Sequence, residues 1–196
     1  MYFYKHSYIL LFVLAICYVA SCVPLLVQQN VNGSDFFNRS WEEFKVGFSN
    51  SRGNFWLGNE LLHQLTISGR YKLRFDLQAR DNGSRYYAEY CRFIVSNEAS
   101  NYKMQVSGYS GNAGDALSYN DDMMFTTYDR DNDLWSNSNC AVLDGGGFWH
   151  RNCVFCGVQV VRGTVGDGFR WRGRVTTRKQ AITDLQLQST RMWLTC

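Results

Sequence analysis

Residues 126–153 read TTYDRDNDLWSNSNCAVLDGGGFWHRNC, with Asp129, Asp131 and Asp133 inside five positions and Cys140 and Cys153 following them. Carboxylates set that closely repel one another unless a positive charge sits among them. Calcium is such a charge, a hard cation that takes about six to eight oxygen ligands from carboxylates and backbone carbonyls. The aspartates match the first half of an EF-hand loop, but Leu134 stands where that loop needs glycine and Cys140 where it needs a bidentate glutamate. Two readings therefore stand side by side. Either two aspartates and nearby main-chain oxygens surround one ion in an irregular loop, or the stretch is an acidic, solvent-exposed turn.

Paired carboxylates also serve glycosidases and magnesium-dependent phosphoryl transfer. The chain has no nucleophile motif, no phosphate-cradling glycine loop and no HExxH to complete such a site, so an enzyme is not expected. His6, His63 and His150 are too few and too scattered for a zinc centre, and Cys153-x-x-Cys156 has no second pair at zinc-finger spacing.

Outward from the acidic stretch, 196 residues with 45% hydrophobic content and a single proline describe one domain with a real core rather than a disordered chain. The first 22 residues place Lys5 and His6 before an apolar run from Tyr8 to Ile16 and a small-residue stretch ending at Cys22. That is the layout of a secretory signal peptide; the apolar run is shorter than the roughly 20 residues of a membrane span, with an uncleaved anchor as the other reading. Cleavage after Cys22 leaves 19 basic and 17 acidic residues on a secreted chain, 23–196, with no stable membrane span. Global charge thus points to no nucleic-acid partner. One local segment differs: Arg162, Arg170, Arg172, Arg174, Arg178 and Lys179 face only Asp167, which reads as a solvated edge or as a patch for an anion. Sequons at Asn32, Asn38 and Asn82 suit an exported glycoprotein.

Ser40-Trp41-Glu42-Glu43 is a capping box that opens a helix, with Gly47 at its end. A second helix is expected over ELLHQLT, capped by Asn59. Residues 71–79 alternate apolar and polar as a half-buried strand, Asp81 to Ser84 form a hairpin turn, and Tyr86 to Val95 return as the partner. Tyr102 to Tyr109 offers a further strand. Beyond it the chain is rich in Gly, Asn and Asp with little periodicity, and loops are expected to its end.

Six blocks, FWLGNE (residues 55–60), AEY (88–90), AGDAL (113–117), FTTYDRDND (125–133), NCA (139–141) and GFWHRNC (147–153), follow the opening VQQNVNGSDFFNRSWEEFK from Val27. In that order they resemble fibrinogen-related domains, the C-terminal domains of ficolins, tachylectins, tenascins and fibrinogen chains, with the best match over 27–153. The resemblance implies an α+β fold: a twisted antiparallel sheet, short helices and a loop-rich, calcium-binding C-terminal subdomain. It assigns calcium to the side chains of Asp131 and Asp133 and to the carbonyls of Trp135 and Asn137, and a disulfide to Cys140 and Cys153. It sets the ligand pocket near Gly147, Phe148, Trp149 and His150, although Phe148 and Trp149 also suit a core.

The chain departs from the family in three places. The family's N-terminal subdomain has no counterpart before Val27, which leaves an expected sheet short of an element, with an exposed edge. Val154-Phe155-Cys156-Gly157-Val158 replaces the histidine and SNLNG-like turn that shape a pocket for acetylated sugars, and the tail matches only loosely. Cys91, Cys140, Cys153, Cys156 and Cys196 make an odd count after cleavage. Cys91 reads as buried packing, while Cys156 and Cys196 could pair with each other or across chains in a disulfide-linked oligomer. The functions implied are a secreted, calcium-dependent recognition protein for acetylated glycans in innate immunity, or an extracellular protein-binding module without a sugar pocket.

Overall fold

The computed structural model describes residues 23–31, 35–153, 170–175 and 181–196. Here β1 (Leu25–Val31) leads to α1 (Trp41–Val46), the short β2 (Phe48–Ser49) and β3 (Phe55–Trp56), and α2 (Asn59–Thr66). Then come β4 (Lys72–Ala79), β5 (Arg85–Val95), β6 (Met104–Gly111), α3 (Cys140–Asp144), β7 (Arg170–Val175) and β8 (Ala181–Thr195). The strands pair antiparallel in the order β2-β3-β1-β8-β4-β5-β6, with β7 joined to β8.

The sheet follows from alternation. In β4 Leu73, Phe75, Leu77 and Ala79 are buried while Lys72, Arg74, Asp76 and Gln78 reach outward. β5 carries the same pattern until Cys91 and Arg92, where two successive residues face solvent opposite Gly108, a residue with φ +73°. That change of phase overturns the packing role expected for Cys91, which is an exposed free thiol. The capping box at Ser40 forms as expected, with the Ser40 hydroxyl accepting from the Glu43 N–H and the Glu43 carboxylate accepting from the Ser40 N–H. The cap expected at the second helix does not: Gly58 is the N-cap, and Asn59 lies fully buried inside the first turn.

The loops expected after Tyr109 are corrected at the chain's end. β8 runs 15 residues and lies between β1 and β4, with pairs from Leu25↔Leu194 to Val31↔Ser189 on one side and from Lys72↔Thr195 to Ala79↔Leu187 on the other. Its periodicity is hidden by a bulge opposite Gln78 and Ala79, across which the buried set changes parity from Leu187 to Thr190, Met192 and Leu194. With β8 in place, β1 is an interior strand, and the sheet ends at β2 and β6.

On the buried side, Phe125 gathers the aromatic core. Its ring centroid lies 5.0 Å from Phe44, 5.1 Å from Trp149, 6.0 Å from Trp56 and 6.3 Å from Trp41. The indole N–H groups stay satisfied: Trp149 donates to the Tyr102 carbonyl at 2.7 Å and Trp56 to the Phe44 carbonyl at 3.0 Å. Trp171 of β7 is likewise buried, 5.0 Å from Phe75. Because β8 is central, a chain ending at Gln186 strips one side of both β1 and β4 of its backbone partners and removes Leu187, Met192 and Leu194 from the core. The expected outcome is loss of the cooperative thermal transition, monitored by near-ultraviolet circular dichroism.

Candidate functional site

The acidic stretch is a loop fixed at both ends. Thr126 and Phe148 exchange two backbone hydrogen bonds of 2.9 and 3.1 Å, and their neighbours Phe125 and Trp149 meet edge to face in the core. The Cys140–Cys153 disulfide closes the far side, with Cα atoms 5.1 Å apart. Asn139 ties the middle: its Oδ1 caps α3 through the Ala141 and Val142 N–H groups, and its Nδ2 donates to the Thr127 carbonyl at 2.9 Å. An Asn immediately before CAVL is a cap signal that sequence reading passed over.

Three aspartates enter the loop, and they take different roles. Asp129 faces inward: its Oδ1 accepts from the Trp41 N–H at 2.9 Å and from the Thr127 hydroxyl at 2.7 Å, pinning the loop to the start of α1. The interleaved Arg130 turns away from the acids, stacking 3.9 Å over the Trp41 ring and donating to Asn101. Asp131 and Asp133 are left facing each other. Asp133 accepts from the Trp135 N–H at 2.7 Å and the Cys140 N–H at 2.8 Å, while Asp131 accepts only from the Asp133 N–H, at 3.2 Å. Burial raises the Asp133 carboxyl above the ordinary carboxylate range despite these two donors, and the Asp131 charge raises it further. A cation beside the pair relieves both effects, and a donor set made only of oxygens suits calcium. Asp131 and Asp133 hold lone pairs for such an ion, as do the carbonyls of the exposed Trp135 and Asn137; the Trp135 carbonyl also accepts from the Ser138 N–H. Among the described residues no cluster of three His, Cys, Asp or Glu side chains could hold a metal, so two carboxylates would have to be supplemented by main-chain oxygens.

The residues expected at the ligand pocket are all buried. Phe148 and Trp149 belong to the aromatic core, 5.2 Å apart, and a Cβ on Gly147 would lie 2.5 Å from the Phe44 ring. His150 is 4% exposed, and its Nε2–H donates to the Gly146 carbonyl at 2.9 Å. Its Nδ1 faces the Asp144 carboxyl at 3.6 Å, a pairing that sequence reading missed. The available signal was an acid inside LDGGGFWH, a stretch otherwise apolar or glycine. Burial, with the Asp133 charge as a lesser cause, pushes Asp144 up to about 7, while burial pushes His150 down to about 4. Val154–Val158 and Cys156 lie outside the described residues, as do the signal-peptide stretch and Asn32. Asn38 and Asn82 are exposed. Cys196 is disulfide-bonded.

Two outcomes follow from this packing. Gly147→Ala drives a methyl group into the Phe44 ring and should cost about 1–3 kcal/mol in urea unfolding, with Phe44→Leu partly restoring the double variant. The buried pair predicts a pH signature. Asp144, raised in the fold, loses stability as pH climbs from its unfolded value near 4 to about 7; His150, lowered in the fold, loses it as pH falls from 6.5 to about 4. Over their shared window the two slopes oppose. In chelator, Asp144→Asn should therefore expose a fall in stability on acidification, on the order of 3 kcal/mol between pH 6.5 and 4, that the parent chain does not show.

Comparison with known proteins agrees with this architecture. The family model described as "Fibrinogen beta and gamma chains, C-terminal globular domain" matches residues 21–191. Human Ficolin-3 is 45% identical over 130 residues, covering 66% of this chain and 43% of its own length. Mouse Tenascin is 41% identical over 150 residues, covering 72% of this chain but 7% of its own length. The chain thus spans under half of one relative and a small fraction of the other. Among solved structures, the fibrinogen-like globe domain of human ANGPTL2 superposes with a TM-score of 0.72 at 33% identity, over 87% of this chain and 79% of its own. The lamprey fibrin D-dimer, complexed with the peptide Gly-His-Arg-Pro-amide, gives 0.68 at 28% identity over 87% and 60%. With a core, a disulfide-closed acidic loop and a family match over most of its length, the chain belongs to the fibrinogen C-terminal domain family.

Proposed function

We propose that this chain is a secreted recognition protein, braced by calcium at Asp131 and Asp133, whose loop-rich end takes acetylated glycans. Members of the family are binding modules and not enzymes. The observation that carries the reading is the facing Asp131–Asp133 pair inside a loop already closed by Cys140–Cys153 and anchored on the aromatic core. Calcium there would neutralise the pair and hold the loop; the chain's own residues do the rest. Asp129 and Asn139 fix the loop's path, Trp135 and Asn137 offer carbonyls, and Gly147 to His150 support the ligand surface from beneath. The glycan part of the reading leans on identity with a ficolin.

A second reading, an extracellular protein-binding module without a sugar pocket, is favoured by the burial of Phe148, Trp149 and His150 and by the peptide carried by the lamprey relative.

Asp131 is the cleaner position for the test, because Asp133→Ala also removes acceptors for two backbone N–H groups. Calcium at 100 times its Kd should stabilise the parent chain by about 2.7 kcal/mol, read as a higher Tm than in chelator, and Asp131→Ala should abolish the difference. Binding to acetylated beads that free N-acetylglucosamine displaces supports the glycan reading. Calcium-dependent binding to extracellular proteins that the sugar leaves untouched supports the second. An equal Tm with calcium and with chelator removes the calcium brace from both.

A further inference from the structure

The face of the sheet turned away from the core carries a cleft of about 390 Å³ over β4, β5 and β8. Two cross-strand rows build it, Tyr87, Asp76 and Arg191, then Arg85, Gln78 and Ser189, with Arg74 at one end. Arg74 is partly neutralised, since its Nε lies 3.0 Å from the Asp76 carboxylate while its guanidinium rests 4.7 Å over the Tyr87 ring. Arg191 spends only its Nε, on Gln29 at 2.6 Å. Arg85 has no partner among the described residues, and no carboxylate pairs with Arg191. Two guanidinium forks therefore stand at the cleft without a paired carboxylate, while the cleft's own carboxylate, Asp76, is already paired with Arg74.

The charge defines the ligand as an anion, and the forks match the paired oxygens of a tetrahedral oxyanion. The strands define its form. β4 and β8 are interior and β5 pairs on both sides, so their backbone groups are already used and cannot take up an extended peptide as an added strand. What remains are side chains: guanidinium N–H groups, the Gln78 amide N–H groups and the Ser189 oxygen, whose hydroxyl donates to the Gln78 Oε1 at 3.2 Å. Such a surface suits a chain of sulfated sugars, with sulfates on the arginines and hydroxyls on the amide and serine. The geometry points to this cleft as a binding site for a sulfated polysaccharide, separate from the acidic loop and independent of calcium.

Binding of a sulfated heparin oligosaccharide to the deglycosylated chain, measured in chelator across a salt series, tests the proposal apart from the calcium reading. The double variant Arg85→Gln/Arg191→Gln should weaken binding at least 10-fold at 0.15 M salt and reduce the slope of log affinity against log salt by about two, one per arginine. Arg85→Gln alone breaks no contact among the described residues and should weaken binding several-fold with an unchanged Tm, while Arg85→Lys should recover part of the loss. The desulfated oligosaccharide and poly-glutamate should bind at least 10-fold more weakly than the sulfated chain. Unchanged affinity in the double variant overturns the proposal, as does equal binding of poly-glutamate. So does a loss confined to Arg172→Gln/Arg174→Gln/Arg178→Gln, which would move the anion site to the basic segment near the C-terminus.

Discussion

Edge-to-face contact between Phe125 and Trp149, at 5.1 Å, is the point on which the loop-rich half of the molecule hangs. A loop crowded with carboxylates buries little apolar surface of its own, with Leu134, Trp135 and Val142 left exposed, and would stay open if left to itself. Here its first and last residues lie in the largest aromatic cluster of the core, and the adjacent Thr126 and Phe148 lock together through two backbone bonds. The loop's closure is thus assigned to the hydrophobic core, and the disulfide and the Asn139 cap restrict what remains of its freedom. The same logic accounts for Gly147, which lets the returning chain pass against the Phe44 ring, where even one methyl group would collide.

Anchoring of this kind separates charges that sequence places side by side. Asp129 becomes structural because it reaches the first backbone N–H of α1, and Arg130 because Trp41 offers it a ring face. Only Asp131 and Asp133 remain as an electrostatic problem, with Asp133 raised by its burial and by its neighbour. Asp144 and His150 form a second, inner problem, where burial favours the neutral form of each.

Local signals were legible where they were local. The Ser40 capping box, the alternation from Leu73 to Ala79 and the turn from Asp81 to Ser84 depend on residues within a few positions of one another, and each formed as read. The acidic loop's family resemblance extended that reach to the Cys140–Cys153 pairing. Apart from the caps near Asn59 and at Asn139, which are local, what could not be read depended on partners far away in sequence. β8 looked aperiodic because its bulge, set opposite Gln78 and Ala79, reverses the parity of its buried residues. Cys91 looked internal because the phase change in β5 needs Gly108 on the neighbouring strand. Asp144 carried no local signal of its pairing with His150, six residues on, because that contact depends on how the chain returns after α3.

The late strand also joins the two sides of the sheet in a way that separates their constraints. Met192, Thr190 and Leu194 point into the core, where a change of one methylene is felt, while Arg191 and Ser189 stand on the outer face among Arg74, Gln78 and Arg85. Alternation means that the outer set can be altered without disturbing the inner one. A sheet whose inner face must remain fixed to hold an acidic loop can therefore offer an outer face free to acquire charge. The arginines gathered there lie on the strands the fold can least do without, yet at the positions it constrains least.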